Sequence, residues 1–260
     1  MSRKVQEKLA HRERHVEKRD RMLEHDFSAE RATIEEVFDQ ATLMIIYDFL
    51  NSGLLHEVNG VVSSGKEARI YWGKEKSGRD VAVKIYLTAS AEFKRGMLKY
   101  IEGDYRFKGV RRDTKSLIYT WAQKEFRNLE QALQAKVSVP NPLGVKGNVL
   151  LMEFIGKEGT SAPSLKELPP ENPKLVYKTL LRYLKRLYQK ADLVHGDLSE
   201  YNVMMWKGKP ILFDMSQSVP RSHPQAKILL ERDIANLNRF FGRQGVKVLS
   251  GEETYRMVVG

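Results

Sequence analysis

The stretch His195-Gly196-Asp197-Leu198-Ser199-Glu200-Tyr201-Asn202, followed twelve positions later by Asp214, decides how this chain is read. Between its two ends lie the short apolar run Val203 to Trp206, a Lys207-Gly208-Lys209 turn and a second run, Pro210 to Phe213, which together predict a β-hairpin. Asn202 and Asp214 then stand at the ends of the loop and the hairpin. Both offer hard oxygen ligands of the kind Mg²⁺ prefers, and Asp197 is suited to accept or orient the proton of an attacking hydroxyl. That combination fits phosphoryl transfer, in which a protein mainly positions the reactants and neutralises charge on the phosphate oxygens. Any one of these residues alone would be an ordinary turn former, since Asp and Asn bond their own backbone. It is the ordered set that carries the reading.

Composition limits the chemistry further. Of 260 residues, 42% are hydrophobic and 30% charged, the proportions of a folded globular chain, and the length suits one large domain or two small lobes. Zero cysteines exclude disulfides, thiolate metal sites, iron–sulfur clusters and cysteine nucleophiles. No apolar stretch approaches the ~20 residues of a membrane helix, and the charged start, Met1-Ser2-Arg3-Lys4, is unlike a signal peptide. A soluble, cytoplasmic protein without a membrane partner is expected. The formal net charge of +11 favours polyanionic partners such as RNA or nucleotides.

Along the chain, residues 1–27 form a charged arm in which His11 and His15 share a helix face without further metal ligands nearby. From Ser28, the three- and four-residue spacing of Ile34, Val37, Phe38, Ala41, Ile45 and Phe49 predicts an amphipathic helix ending at Gly53. Runs at Val58–Val62, Ala68–Trp72 and Val81–Tyr86 predict an antiparallel meander. A polar insert, about residues 87–118, is expected to be mobile, and Trp121, Phe126, Leu129 and Leu133 mark a further helix. Val149–Ile155 reads as a buried strand, and the Gly/Pro/Ser-containing segment 156–173 as the connection between two lobes, 28–155 and 156–260.

The pattern His-x-Asp-Leu-x-x-x-Asn is that of the catalytic loop of protein kinases, with Gly196 where arginine is usual. Val81-Ala82-Val83-Lys84 likewise matches the strand that carries the phosphate-binding lysine, and Glu125, 41 residues on, is the natural carboxylate partner for its ammonium. Ser63 and Ser64, in the loop Val62-Ser63-Ser64-Gly65-Lys66-Glu67-Ala68, stand where a glycine-rich loop would cover the phosphates. Gly60 to Lys66 also fits the Walker A spacing, but Glu67 replaces the required Ser or Thr and a strand follows, so that reading is rejected. Met152, at the end of the strand entering the connection, would lie behind a nucleobase.

These segments, with Tyr105-Arg106-Phe107, Trp121 to Leu129, Met152 to Gly156 and Asp214 to Val219, resemble the RIO family of atypical serine protein kinases over roughly residues 30–245, specifically its first-described branch. The compact length suits an archaeal member. The resemblance implies an α+β, trimmed two-lobe kinase fold with an extra N-terminal helix, ATP with Mg²⁺ or Mn²⁺, serine autophosphorylation and a role in maturing the small ribosomal subunit, with rRNA and ribosomal proteins of the precursor particle as partners. It implies Lys84 as the ATP lysine, Glu125 as its partner, Asp197 as the catalytic aspartate, Asn202 and Asp214 as metal ligands, and Glu153 and Ile155 as backbone contacts to adenine. It also implies that Asp214 can become phosphorylated in an ATPase cycle. Asp214 is followed by Met215-Ser216 instead of Phe-Gly, and no Ala-Pro-Glu follows. The loss of arginine at Gly196 predicts activity that is not gated by a phosphorylated activation loop. Two other readings remain at this point: a small-molecule kinase of the aminoglycoside or choline type, and a nucleotide-dependent RNA scaffold.

Overall fold

The computed structural model describes residues 38–87 and 91–260. The histidines of the arm and the first part of the helix expected from Ser28 lie outside the described residues. Helix α1 (Gln40–Ser52) opens with Asp39, whose carboxylate accepts from the Thr42 amide at 2.8 Å, and closes at Gly53 in the left-handed conformation, φ 78°.

The expected meander is present as β1 (Glu57–Ser64), β2 (Ala68–Lys74) and β3 (Asp80–Tyr86), and β4 (Pro142–Lys146) and β5 (Val149–Glu153) extend it. The five strands are antiparallel in the order β1-β2-β3-β5-β4, which puts β3 at the centre with both faces covered. Alternation along β3 then sorts its side chains. Val81, Val83 and Ile85 pack with Ile45, Ile46 and Phe49 of α1, whereas Ala82, Tyr86 and Met152 of β5 join the core built on Leu117, Ile118, Trp121 and Ala122. Lys84 belongs by position to this second face.

Residues 91–118 carry more regular structure than their polar composition suggests. Helix α2 (Ala91–Ile101) and a 3₁₀ turn (Tyr105–Phe107) lead into α3 (Thr114–Gln134), which starts about two turns earlier than the apolar spacing from Trp121 alone suggests. Its N-cap is Asp113, which accepts from the Ser116 amide at 3.0 Å, and Met97, Tyr100, Ile101 and Phe107 anchor the insert in the core.

The second half is mainly helical. The segment after Ile155 is a small hairpin, β6 (Gly156–Lys157) with β7 (Thr160–Ser161), and α4 (Pro173–Lys190) follows, capped by Asn172 with Pro173 in the first turn. Strand β8 (Leu193–Val194) pairs with β11 (Val219–Pro220), so the loop after Val194 and the turn before Val219 spring from one two-stranded ladder. The hairpin read from the sequence is β9 (Val203–Trp206) with β10 (Lys209–Leu212). Helices α5 (Ala226–Arg243) and α6 (Gly251–Val259), the latter with a complete Ser250–Glu253 capping box, finish the fold. Among the described residues no helix is long and apolar enough to cross a membrane.

Candidate active site

Lys84 projects from the central strand toward α3 and is 6% exposed. Its ammonium lies 2.9 Å from the Glu125 carboxylate and 3.1 Å from Asp214 Oδ1. Burial opposes its charge, but the carboxylates of Asp214 and Glu125 outweigh this and hold its pKa well above the usual lysine value. Glu125 is fully buried, and its carboxyl is raised by burial against the downward pull of Lys84. The Tyr86 hydroxyl, two residues along the same face of β3, donates to Glu125 Oε2, which Lys84 also approaches. Asp214 is held below the usual range: burial works upward, and Lys84, with the Ser216 hydroxyl that donates to Oδ1 at 2.9 Å, overcomes it. Its side chain is 41% exposed.

Asp197 and Asn202 meet at the start of the β9–β10 hairpin. The Asn202 side-chain amide donates to the Asp197 carbonyl at 2.7 Å and to Asp197 Oδ2 at 3.1 Å, and Gln217 Nε2, from the turn after Asp214, reaches Oδ2 at 3.4 Å. Burial, then repulsion from Asp214, raises the Asp197 pKa. That is the direction a proton acceptor at neutral pH requires.

The loop backbone is held from below by α5. Asp233 is fully buried and accepts the amides of Gly196 and Leu198, each at 2.8 Å, while Arg232 donates to the Gly196 carbonyl and Asn236 to that of Leu198 at 3.0 Å. Gly196 has φ 80°, and a Cβ there would lie 2.9 Å from the Gln217 carbonyl oxygen. The loop and the turn are therefore in van der Waals contact where arginine is usual in protein kinases. A guanidinium is still present, supplied by Arg232 of α5.

The turn after Asp214 is held from the other side by α3. Asp214 itself is left-handed, φ 56° and ψ 64°, a conformation Asp tolerates better than most residues. Its following carbonyls turn toward the helix, where Lys124 donates to those of Ser216, at 3.0 Å, and Ser218, and Asn128 donates to those of Met215 at 2.7 Å and Ser218 at 3.1 Å.

Of the remaining residues singled out above, Ser63 and Ser64 end β1, exposed, in register with Ile70 and Arg69. It is their neighbour Glu67 that feels the cluster: burial first, then repulsion from Asp214 and Asp197, raises its pKa against the attraction of Lys84. Met152 is 8% exposed and pairs with Ala82 across the sheet. The Ile155 carbonyl accepts from Ala162 at 2.8 Å, so a ligand contact at Ile155 would use its amide.

The sequence assigned no role to Glu67, Tyr86, Lys124, Asn128, Arg232 or Asp233. A signal existed for two of them. Lys124 and Asp233 each sit inside an apolar helical stripe, between Trp121 and Leu129 and between Leu229 and Leu237, where an unpartnered charge would be costly.

The donor set suits a hard cation bridged by phosphates. Asn202 spends its amide hydrogens on Asp197, which leaves Oδ1 for a cation, and Asp214 offers the oxygen that neither Lys84 nor Ser216 engages. Among the described residues there is no cluster of three or more His, Asp or Glu able to hold a metal unaided. Mg²⁺ does not require one when a polyphosphate supplies the other oxygens.

An antiparallel five-stranded sheet whose central lysine meets a helix carboxylate and an aspartate from a mainly helical second half defines a kinase-like fold. In agreement with that class, the RIO domain model matches residues 69–254, and the chain belongs to the RIO domain family. Among its relatives, the RIO-type serine/threonine-protein kinase Rio1 of Haloferax volcanii is 41% identical over 226 residues, covering 87% of this chain and 77% of the relative. That of Methanocaldococcus jannaschii is 39% identical, covering 91% and 80%. The human serine/threonine-protein kinase RIO1 is 39% identical over 88% of this chain, which spans only 41% of that relative's length. The Rio2 kinase of Chaetomium thermophilum, solved with ADP, Mg²⁺ and phosphoaspartate, superimposes with a TM-score of 0.61 at 21% identity, over 82% of this chain and 65% of that one, and shares the fold.

Proposed function

We propose that the chain is an ATP-dependent serine kinase whose triphosphate lies between the Lys84–Asp214 pair and the Asp197–Asn202 pair. The single observation that carries this reading is the 3.1 Å approach of Lys84 to Asp214, which joins the two halves of the chain at one point. In this reading Lys84, oriented by Glu125 and Tyr86, binds the phosphates. Asp214 and Asn202 would hold Mg²⁺ or Mn²⁺, which would neutralise charge developing on the phosphate oxygens. Asp197 accepts the proton of a serine hydroxyl as its oxygen attacks the γ-phosphorus and ADP departs with the bridging oxygen's electron pair. Glu153 and Ile155 meet the adenine through their backbones with Met152 behind it, and Ser63 and Ser64 cover the phosphates. The two lobes divide near residue 155.

A second outcome at the same site is an ATPase cycle. Asp214 is ionised and partly exposed, so a carboxylate oxygen is chemically able to attack the γ-phosphorus, breaking the bond to the β–γ bridging oxygen and releasing ADP, to form an acyl phosphate that water then hydrolyses to free phosphate. The phosphoaspartate of the Rio2 complex supports this outcome. Because the family model matches residues 69–254, we favour this reading over the small-molecule kinase and the RNA scaffold. The charge of +11 and the family support a cytoplasmic role on the rRNA and proteins of a small-subunit precursor.

Labelled ATP with Mg²⁺ tests the proposal, with phosphoprotein and free phosphate scored separately. Label on serine, lost in Asp197→Ala, supports the kinase; hydroxylamine-labile label lost in Asp214→Asn supports the acyl phosphate. Binding of ATP without either product overturns both.

A further inference from the structure

We propose that Lys124 and Asn128 are positioning residues that lock the Asp214 turn to helix α3, so that the phosphate site is assembled before nucleotide arrives. The inference deepens the kinase reading, on which its nucleotide and kinetic arms rest; exchange of the nucleotide-free wild type and Lys124→Met does not depend on it.

Lys124 is completely buried, and among the described residues its ammonium has no carboxylate in contact. Burying a lysine against two carbonyls and the face of the Trp121 ring, 5.5 Å from its centroid, with no carboxylate to balance the charge, is costly, and an apolar side chain of similar volume would fill the space at less cost. What the amine gains is geometry. The backbone oxygens of Met215, Ser216 and Ser218 all point to one side of the turn, and Lys124 and Asn128, one helical turn apart, take all three. Ser218 carries the link onward, since its hydroxyl donates to the His195 carbonyl at 2.9 Å. The catalytic loop is thus tied to the same turn.

Position on the helix gives this lock its consequence. Glu125 follows Lys124 directly, about 100° further round α3, so one turn of helix grips Lys84 on one side and the Asp214 turn on the other. A shift of α3 large enough to release Lys84 would also release the carbonyls. Helix, lysine and aspartate therefore move as one body. No phosphorylated segment is needed to bring them together, which accords with a glycine at position 196.

Hydrogen exchange on the wild-type chain, with and without ATP and Mg²⁺, reads the lock directly. The amides of residues 215–219 should exchange as slowly without nucleotide as the middle of α3, and nucleotide should change their rate by less than about threefold. Exchange near the free-chain rate that slows more than about tenfold on adding nucleotide would overturn the proposal. Lys124→Met, which keeps the volume and removes the donors, should speed exchange of this segment by at least about tenfold. It should raise the KM for ATP by at least about tenfold, because nucleotide must then order the turn, and leave kcat at saturating ATP within about threefold. Lys124→Gln, which retains an amide donor, should recover part of both. Wild-type exchange and an unchanged KM for ATP in Lys124→Met would equally overturn it. Should Lys124→Met fail to fold, Asn128→Ala and the wild-type comparison decide.

Discussion

Lys84 and Asp214 are 130 residues apart in sequence and 3.1 Å apart in space, with Glu125 on the far side of the same ammonium. The lysine is held by charge on two sides and, with Glu125, is almost closed to water, whereas Asp214 is partly exposed. Replacing it with methionine leaves two carboxylates facing each other without a cation. Lys84→Met should cut phosphoryl transfer at least about 100-fold and destabilise the fold by about 3 kcal/mol at neutral pH. Urea unfolding across pH checks the cause: the deficit should shrink as pH falls, because the buried Glu125 then takes up a proton.

Asp197 should be needed for transfer and not for binding. Asp197→Asn keeps the bond from Asn202 within reach and removes the base, so nucleotide affinity measured by fluorescence should change by less than about threefold while kcat falls at least about 1,000-fold. In the wild type, the acid limb of the kcat profile should lie above the ordinary aspartate range. Burial and Asp214 both push it that way.

Gly196 tests the contact between loop and turn. Its φ is positive, and an added methyl would come within 2.9 Å of the Gln217 carbonyl oxygen, so Gly196→Ala brings both backbone strain and a clash. A loss of about 2 kcal/mol in urea unfolding is expected, with a loss of activity. Unchanged stability would show that the turn yields freely.

Lys124 leaves a mark on the pH dependence of stability. Burial lowers its pKa to about 7; Asp104 and Glu125 pull upward and Arg106 downward. An unfolded lysine binds its proton up to about pH 10.4, so between about 7 and 10.4 the unfolded chain holds more protons and stability rises with pH. Measured by thermal unfolding, the wild type should gain on Lys124→Met as pH increases through that window. A constant difference would mean that the amine keeps its proton throughout.

How much of this was legible depends on the range of the signal. The loop from His195 to Asn202 and the hairpin to Asp214 are local, so their residues could be read together. The Lys84–Glu125 pair was legible because strand and helix each announce themselves, although the insert between them is more helical than its charges suggest. The braces were legible only in part. Lys124 and Asp233 stand out as charges in apolar helical stripes, but Asp233, Arg232, Lys124 and Asn128 all bind backbone atoms of the loop or the turn, and a backbone amide or carbonyl leaves no trace in side-chain pattern to say what they hold. Glu67 was hidden for a different reason: its loop was read for glycines and hydroxyls, and the carboxylate counted only against a Walker motif.

The most direct test is a crystal structure with Mn²⁺ and a non-hydrolysable ATP analogue, using the anomalous signal to place the metal. A manganese peak is expected within direct coordination distance of a carboxylate oxygen of Asp214 and of Asn202 Oδ1, with the phosphates against Lys84 and the γ-phosphate facing Asp197. A triphosphate bound elsewhere, or a metal that touches neither Asp214 nor Asn202, would contradict it.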